Sequence, residues 1–354
     1  LEAELGDVVK VKLPEHGPAD VIGNKATAED TAGLRLANIE DLLEVAQGTG
    51  EPVTRKVVLA EVNAALEAEL GDVVKVKLPE HGPADVIGNK ATAEILAEVF
   101  RRCEDPDSAV SAVLVSGPNG GGKTFQMEAF ARESGRIVIE LTGLRGMYFG
   151  QTDRFFEMLR WHLRTYGKIL ILVDEAHTAF GSVHRSDTHE TEKRLAGNII
   201  KMMGDPAMRV KVLWGLMTSR PDELDPDVKS RTPLQIPIFD PEGEDRVVFV
   251  RELFARKAVP LAASELDEVV KLTGHYSARD LDNLVREVKA RKQPVPEVLR
   301  RWRASDAITG QRRLQTLIAS QHCTYPDLLP ASLRGLSPEQ IATEIEALQL
   351  RMFR

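Results

Sequence analysis

Two short stretches of this chain carry residue types whose spacing suits chemistry on a phosphate chain. The first is Gly117-Pro118-Asn119-Gly120-Gly121-Gly122-Lys123-Thr124. Glycines at these positions let consecutive backbone N–H groups turn inward around a phosphate, and a helix that follows adds its positive N-terminal end. Lys123 supplies a point charge for the β- and γ-phosphates, and the Thr124 hydroxyl is a hard oxygen ligand of the kind Mg²⁺ takes. The second stretch is Ile169-Leu-Ile-Leu-Val-Asp174-Glu175. Five apolar residues make a strand buried on both faces, and ligands in open α/β sheets sit at the carboxyl ends of such strands. Asp174 would hold Mg²⁺, mostly through water. Glu175 would orient and deprotonate an attacking water, because phosphoryl transfer depends mostly on positioning and charge stabilisation. Nucleotide hydrolysis is the expected chemistry.

The elements that position these residues are legible in the apolar pattern. Val110–Ser116, Arg136–Leu141, Lys168–Val173, Lys211–Thr218 and Leu234–Ile238 are β-branched-rich runs of strand length, mostly separated by helical stretches. That alternation predicts a parallel five-stranded sheet flanked by helices. The first run leads into the glycine loop, and the helix-forming stretch Phe125–Arg132 leads out of it. The expected organisation is a helical N-terminal region (1–71), an α/β nucleotide-binding domain (72–240), a helical lid (241–293) and a helical C-terminal extension (294–354). A short extended segment, Val73–Leu78, and a turn through Pro79, Gly82 and Pro83 open the α/β domain.

Composition narrows the function classes. The chain has 354 residues, 43% hydrophobic and 28% charged, which are ordinary globular values. Forty-six basic against 54 acidic residues give a net charge of -8, which argues against a surface devoted to nucleic acid or acidic membranes. Two cysteines, Cys103 and Cys323, allow no disulfide framework, so a cytoplasmic setting is expected. No apolar run approaches the roughly 20 residues that span a bilayer, so no membrane partner is expected. The chain opens on Leu1 rather than Met, and its natural start is expected to lie upstream. Residues 1–29 recur unchanged at 66–94. Repeats of natural origin usually drift, so a recent duplication or an artefact is one reading and a paired recognition module the other. The second copy runs directly into the rest of the α/β pattern and is taken as the working one.

With both phosphate motifs placed, the chain resembles the AAA+ ATPases, and within them the AAA subfamily, over about residues 84–291. This resemblance implies a P-loop NTPase fold, ATP and ADP as ligands with Mg²⁺, and a homo-oligomeric ring with a hexameric precedent. It further implies remodelling, unfolding or disassembly of a protein client. Residue by residue, Ile87 and Gly88 in Asp85-Val-Ile-Gly-Asn89 resemble the segment that lines the adenine pocket, and Phe125 follows the phosphate loop. Leu216-Met-Thr-Ser219-Arg-Pro-Asp-Glu-Leu-Asp-Pro resembles the run whose strand ends in the sensor-1 residue. That residue is normally Asn and here is Ser219, with Thr218 able to share its task. Arg231 matches an arginine finger that reaches the neighbouring subunit's site. Gly274-His-Tyr-Ser-Ala-Arg279 resembles the start of the lid helix that carries a sensor-2 arginine. Gly146-Met-Tyr148-Phe149-Gly resembles the aromatic pore loop of members that thread polypeptides.

Other readings stay open on sequence alone. Arg300, Arg301, Arg303, Arg312 and Arg313 cluster around Trp302, a pattern that could bind phosphates with a stacking ring. It could equally be a solvated helix face or a contact between subunits. A nucleotide-gated assembly scaffold is a further alternative, to which the departure at Ser219 gives room. Asp174-Glu-Ala-His177 spells a helicase label, but the flanking helicase motifs are not visible. His184, Arg185 and His189 in the loop Gly181–Glu192 lack metal-ligand partners at useful spacing. The helices before Gly71 and after Pro294 are expected to dock adaptors or clients.

Overall fold

The computed structural model describes residues 53–142, 151–181 and 190–352, together with Ile39. The first copy of the repeat, Tyr148, Phe149, His184, Arg185 and His189 lie outside the described residues.

Helix α1 (Arg55–Leu70) leads through a short 3-10 turn into β1 (Val74–Lys77). Helix α2 (Lys90–Arg102) precedes β2 (Ala112–Ser116), and α3 (Lys123–Glu133) follows it. Then come β3 (Ile137–Leu141), α4 (Gln151–Thr165), β4 (Ile169–Val173), a single helical turn α5 (Ala176–Ala179) and α6 (Glu190–Met203). β5 (Val212–Thr218), a one-turn α7 (Pro226–Ser230) and β6 (Leu234–Pro237) complete the sheet.

The strand order is β1-β3-β4-β5-β2-β6. The five expected strands all pair in parallel. The expected five-stranded sheet is corrected to six: β1 adds to β3 antiparallel, with Val74 opposite Leu141 and Val76 opposite Ile139. Parallel strands covered on both faces must be apolar throughout. In β4, Ile169, Ile171 and Val173 enter one core cluster while Leu170 and Leu172 enter the other. In β2, Ala112 and Leu114 face the first cluster and Val113 and Val115 the second.

Helix α1 belongs to this body. Its Val58, Leu59, Val62, Leu66 and Leu70 are buried in the same cluster as β3 and β4. At the far ends of the strands from the site, the buried Arg136 guanidinium donates to the carbonyls of Cys103, Ile169, Val210 and Lys211. One cation therefore ties together the points where β3, β4 and β5 begin.

Each outer strand has one residue whose outward backbone is engaged by a neighbouring element. The Val76 N–H of β1 donates to Asn63 Oδ1 of α1 at 2.8 Å. On the opposite flank, Gln235 N–H of β6 donates to Thr324 Oγ1, and Thr324 N–H donates to Gln235 O, each at 2.8 Å.

The lid contains α8 (Gly243–Arg256), α9 (Ala263–Leu272) and α10 (Ala278–Arg291), closed around Val250, Phe254, Val269, Leu281, Leu284 and Val285. Helix α11 (Val295–Leu299) buries Val295, Val298 and Leu299 in that same cluster, so the lid core continues past residue 293. The chain then runs through α12 (Asp306–Ser320), α13 (Ala331–Arg334) and α14 (Pro338–Met352). Leu317, Leu333 and Ile341 form a small core of their own. Leu328 returns to the sheet core beneath α2. No helix among the described residues is long and apolar enough to cross a membrane.

Candidate nucleotide site

The loop after β2 takes its shape from glycine. Gly117 sits at φ +135°, and a Cβ there would lie 2.2 Å from the carbonyl oxygen of Ile238, the residue that follows β6. Gly120 and Gly122 hold φ of +81° and +89°, which L side chains rarely adopt. Helix α3 then begins at Lys123. Lys123 is buried, with its ammonium donating to Gly117 O at 3.0 Å and Pro118 O at 3.2 Å. Burial pushes its pKa below the ordinary lysine value, while the Glu175 and Asp174 carboxylates pull it back up. The loop thus holds a cation whose charge is poorly solvated, and an incoming anion would solvate it.

These groups open onto one cavity of about 990 Å³. Its lining brings together Asn119, Gly120, Gly121, Gly122, Lys123, Thr124 and Phe125 with Asp174 and Glu175 from the end of β4. Glu175 adopts left-handed backbone at φ 47°, and its N–H donates to Asp174 Oδ1 at 2.9 Å. Left-handed backbone costs a non-glycine residue roughly 1–2 kcal/mol. That cost coincides with a turn that sets both carboxylates at the cavity wall. Thr124 and Asp174 offer hydroxyl and carboxylate oxygens. Such a donor pair suits Mg²⁺, which commonly keeps waters and substrate phosphates among its ligands instead of an all-protein cage.

His177 is the contribution that sequence reasoning missed. Its Nδ1 lies 2.8 Å from Thr218 Oγ1 and 3.3 Å from Glu175 Oε2, so it joins the end of β5 to the acidic pair. Thr218 Oγ1 also accepts from Arg220 N–H. Ser219 is buried and is not among the cavity-lining residues. Of the two hydroxyls considered on sequence, Thr218 is the one connected to Glu175.

Arg279 lines the cavity from the first turn of α10, and its N–H donates to Gly120 O at 3.3 Å. Ser277 caps that helix by accepting from Asp280 N–H. Arg231 behaves differently. It is exposed at the end of α7, with its guanidinium against Gly204, and does not line the cavity of its own chain.

The apolar end of the cavity is lined by Val86, Ile87, Pro241, Phe249 and Leu253, with Asp85, Arg256, Lys257 and Asp282 as charged members of the lining. The rings of His81 and Phe125, both in the lining, lie 5.2 Å apart. Gly88 stands just behind the wall at φ +69°, where a Cβ would touch Pro241, Phe249 and Asp245 O. Arg256 fastens the lid to this segment by donating to Asp85 O and Ala84 O at 2.8 Å each. Ile87, expected here from the resemblance, lines the cavity, with Gly88 behind it; Phe249 and Leu253, four residues apart on α8, carry in the sequence the signal of a helix face alone.

The basic cluster near Trp302 does not form one surface. Arg312 is buried, Arg313 pairs with Glu344 at 2.8 Å, and Trp302 packs edge-on against Tyr276. Among the described residues no group of three or more His, Cys, Asp or Glu is placed to hold a metal.

Comparison with known proteins agrees with this geometry. Residues 113–239 match the model of the ATPase family associated with various cellular activities (AAA). Spastin from Gallus gallus is 24% identical over 257 residues, which cover 68% of this chain and 41% of that protein. A Cell division cycle protein 48 homolog from Archaeoglobus fulgidus is 27% identical over 305 residues, covering 83% of this chain and 38% of that protein. The chain therefore spans about two fifths of the length of these curated relatives. Among solved structures, the FIGL-1 AAA domain superposes with a TM-score of 0.56 at 22% identity, covering 76% of this chain and 97% of that one. At that identity the likeness speaks for the fold alone.

Proposed function

We propose that this chain, which belongs to the AAA+ ATPase superfamily, hydrolyses Mg-ATP at a site completed by a neighbouring copy and uses the cycle to remodel a protein partner. The observation that carries the reading is the meeting of Lys123, Thr124, Asp174 and Glu175 in one cavity at the carboxyl ends of β2 and β4.

The apolar end of the cavity takes the base, and the glycine loop takes the phosphates. Lys123 neutralises charge on the β- and γ-phosphates. Thr124 and Asp174 would hold Mg²⁺, which would supply Lewis-acid stabilisation of the charge that develops on the phosphate. Glu175 accepts a proton from the attacking water as the water's oxygen bonds to the γ-phosphorus. The bond to the ADP oxygen breaks, and phosphate leaves. His177, held by Thr218, steers the Glu175 carboxylate. Arg279 approaches the γ-phosphate from the lid.

Arg231 is exposed and does not line its own cavity, which supports its service in an adjacent copy and hence an oligomer, with a hexameric ring as the family precedent. A protein client follows from the same resemblance. A nucleic-acid substrate is not favoured, because Arg312 and Arg313 are already engaged within the chain.

Steady-state turnover and nucleotide binding by Glu175→Gln test the reading. Turnover is expected to fall about 10²–10⁴-fold, the range for loss of a general base, with nucleotide still bound. Undiminished turnover would refute the assignment. The same variant, loaded with ATP, is the bait with which a protein client would be captured.

A further inference from the structure

The phosphate loop is held from outside its own domain. Asn119 is an exposed residue at the outer bend of the loop, yet both of its peptide groups are taken by side chains of α12. Its N–H donates to Gln315 Oε1 at 3.0 Å, and its carbonyl accepts from Arg312 Nε at 3.0 Å. The next carbonyl, that of Gly120, accepts from Arg279 N–H of the lid. Gln315 and Arg312 are 2% and 6% exposed, unusual burial for side chains of these types.

Arg312 does more than hold Asn119. Its other nitrogens donate to His275 O of the lid, at 3.2 Å, and to the Asp240 carboxylate where the sheet passes into the lid. One guanidinium therefore touches the phosphate loop, the hinge and the lid together. Among the described residues Asp240 Oδ1 is buried without a partner, and Arg312 provides the one hydrogen bond to this carboxylate. A planar fork with five donors in fixed directions suits such a three-way joint, and a lysine cannot reproduce it.

We infer that Arg312 and Gln315 are positioning residues for the nucleotide site, so that tight binding of a nucleoside di- or triphosphate requires helix α12 to be docked on the loop. The reasoning is geometric. With the Asn119 peptide fixed on both sides, the loop backbone from Gly120 onward is held in one conformation at the cavity wall. A free loop would lose conformational entropy on binding, and this one has been ordered beforehand. Linkage makes the coupling mutual: bound nucleotide must hold α12 more firmly in turn. This inference rests on the nucleotide-binding reading above.

The test compares the full chain with Gln315→Met, which keeps the volume but removes the acceptor, and with Arg312→Lys, which keeps the charge but loses the fork. Arg313→Ala, on the neighbouring residue paired with Glu344, is the control. Binding is read with a fluorescent ADP analogue, and backbone hydrogen exchange is followed over residues 117–124 and 306–320. Each test variant should weaken ADP binding about tenfold, as expected for loss of one good hydrogen bond. Each should also speed exchange over 117–124 in the nucleotide-free chain more than over the sheet strands 169–173 and 212–218. In the unmodified chain, ADP should slow exchange over 306–320, an effect that a purely structural role for the two residues would not produce. Arg313→Ala should change neither binding nor loop exchange.

Variant affinities within twofold of the unmodified chain, with exchange over 306–320 indifferent to ADP, would overturn the inference and leave the functional reading intact. An unmodified chain that binds no ADP would instead refute the functional reading. If one substitution prevents folding, the other decides the matter.

Discussion

The two ends of the cavity are built on different plans. At the phosphate end, Asn119 to Thr124 form one unbroken stretch of the lining, and Asp174 and Glu175 a second. At the base end, Val86 and Ile87 meet Phe249 and Leu253, residues contributed by a loop before α2 and by a helix of the lid. The phosphate end needs particular atoms, since a single methyl at Gly117 has no room beside Ile238 O. The base end needs apolar area, and several residue types supply that. On the proposed function, chemistry is concentrated in short loops, whereas affinity is spread over the sheet and the lid.

Four substitutions probe this contrast, in descending order of effect. Arg231→Ala should lower turnover about 10³-fold if the finger acts in trans, the lower figure for such arginines. Mixing it with Glu175→Gln should restore part of the activity, because each variant supplies what the other's neighbour lacks. A mixture as inactive as its components would break the picture of a phosphate end completed by a second copy.

Gly117→Ala should cost about 3 kcal/mol of folding stability in chemical denaturation, since the loop must move off Ile238. Tolerance there would mean the loop is less constrained than the base end. Phe249→Ala is expected to raise KM for ATP about tenfold, in line with the apolar area removed, with kcat retained. A fall in kcat with KM unmoved would erase the distinction between the ends.

Arg313→Ala lies at neither end and sets the floor. Arg313 hydrogen-bonds Glu344 and holds its carboxyl below the ordinary glutamate range. A carboxyl pKa depressed on folding contributes stability above its unfolded value, and that contribution disappears as pH falls through the folded one. The variant should lose about 0.5 kcal/mol at neutral pH, as exposed pairs do, and nothing in acid. Urea titrations at the two pH values would check both.

The same contrast explains what could be read from sequence. Gly117–Thr124 and Asp174-Glu175 announced themselves because their chemistry needs neighbours in the chain. The five parallel strands were legible because burial on both faces forces unbroken apolar runs such as Ile169–Val173. Strand β1 left a fainter trace: it is four residues of alternating Val and Lys, and its pairing with β3 depends on contacts with residues 138 to 141. Arg312 was read by type as a surface cation, although it lies buried against Asn119, nearly two hundred residues earlier. Composition does not record which way a helix face turns. His177 was set aside with the helicase label, and its role became visible only when β5 brought Thr218 beside it.

The stoppered flanks of the sheet bear on assembly. Asn63 occupies the outward amide of Val76, and Thr324 occupies both outward groups of Gln235. A second molecule would find those ladder positions spoken for, so fibre-like growth by edge-to-edge joining is discouraged at either margin.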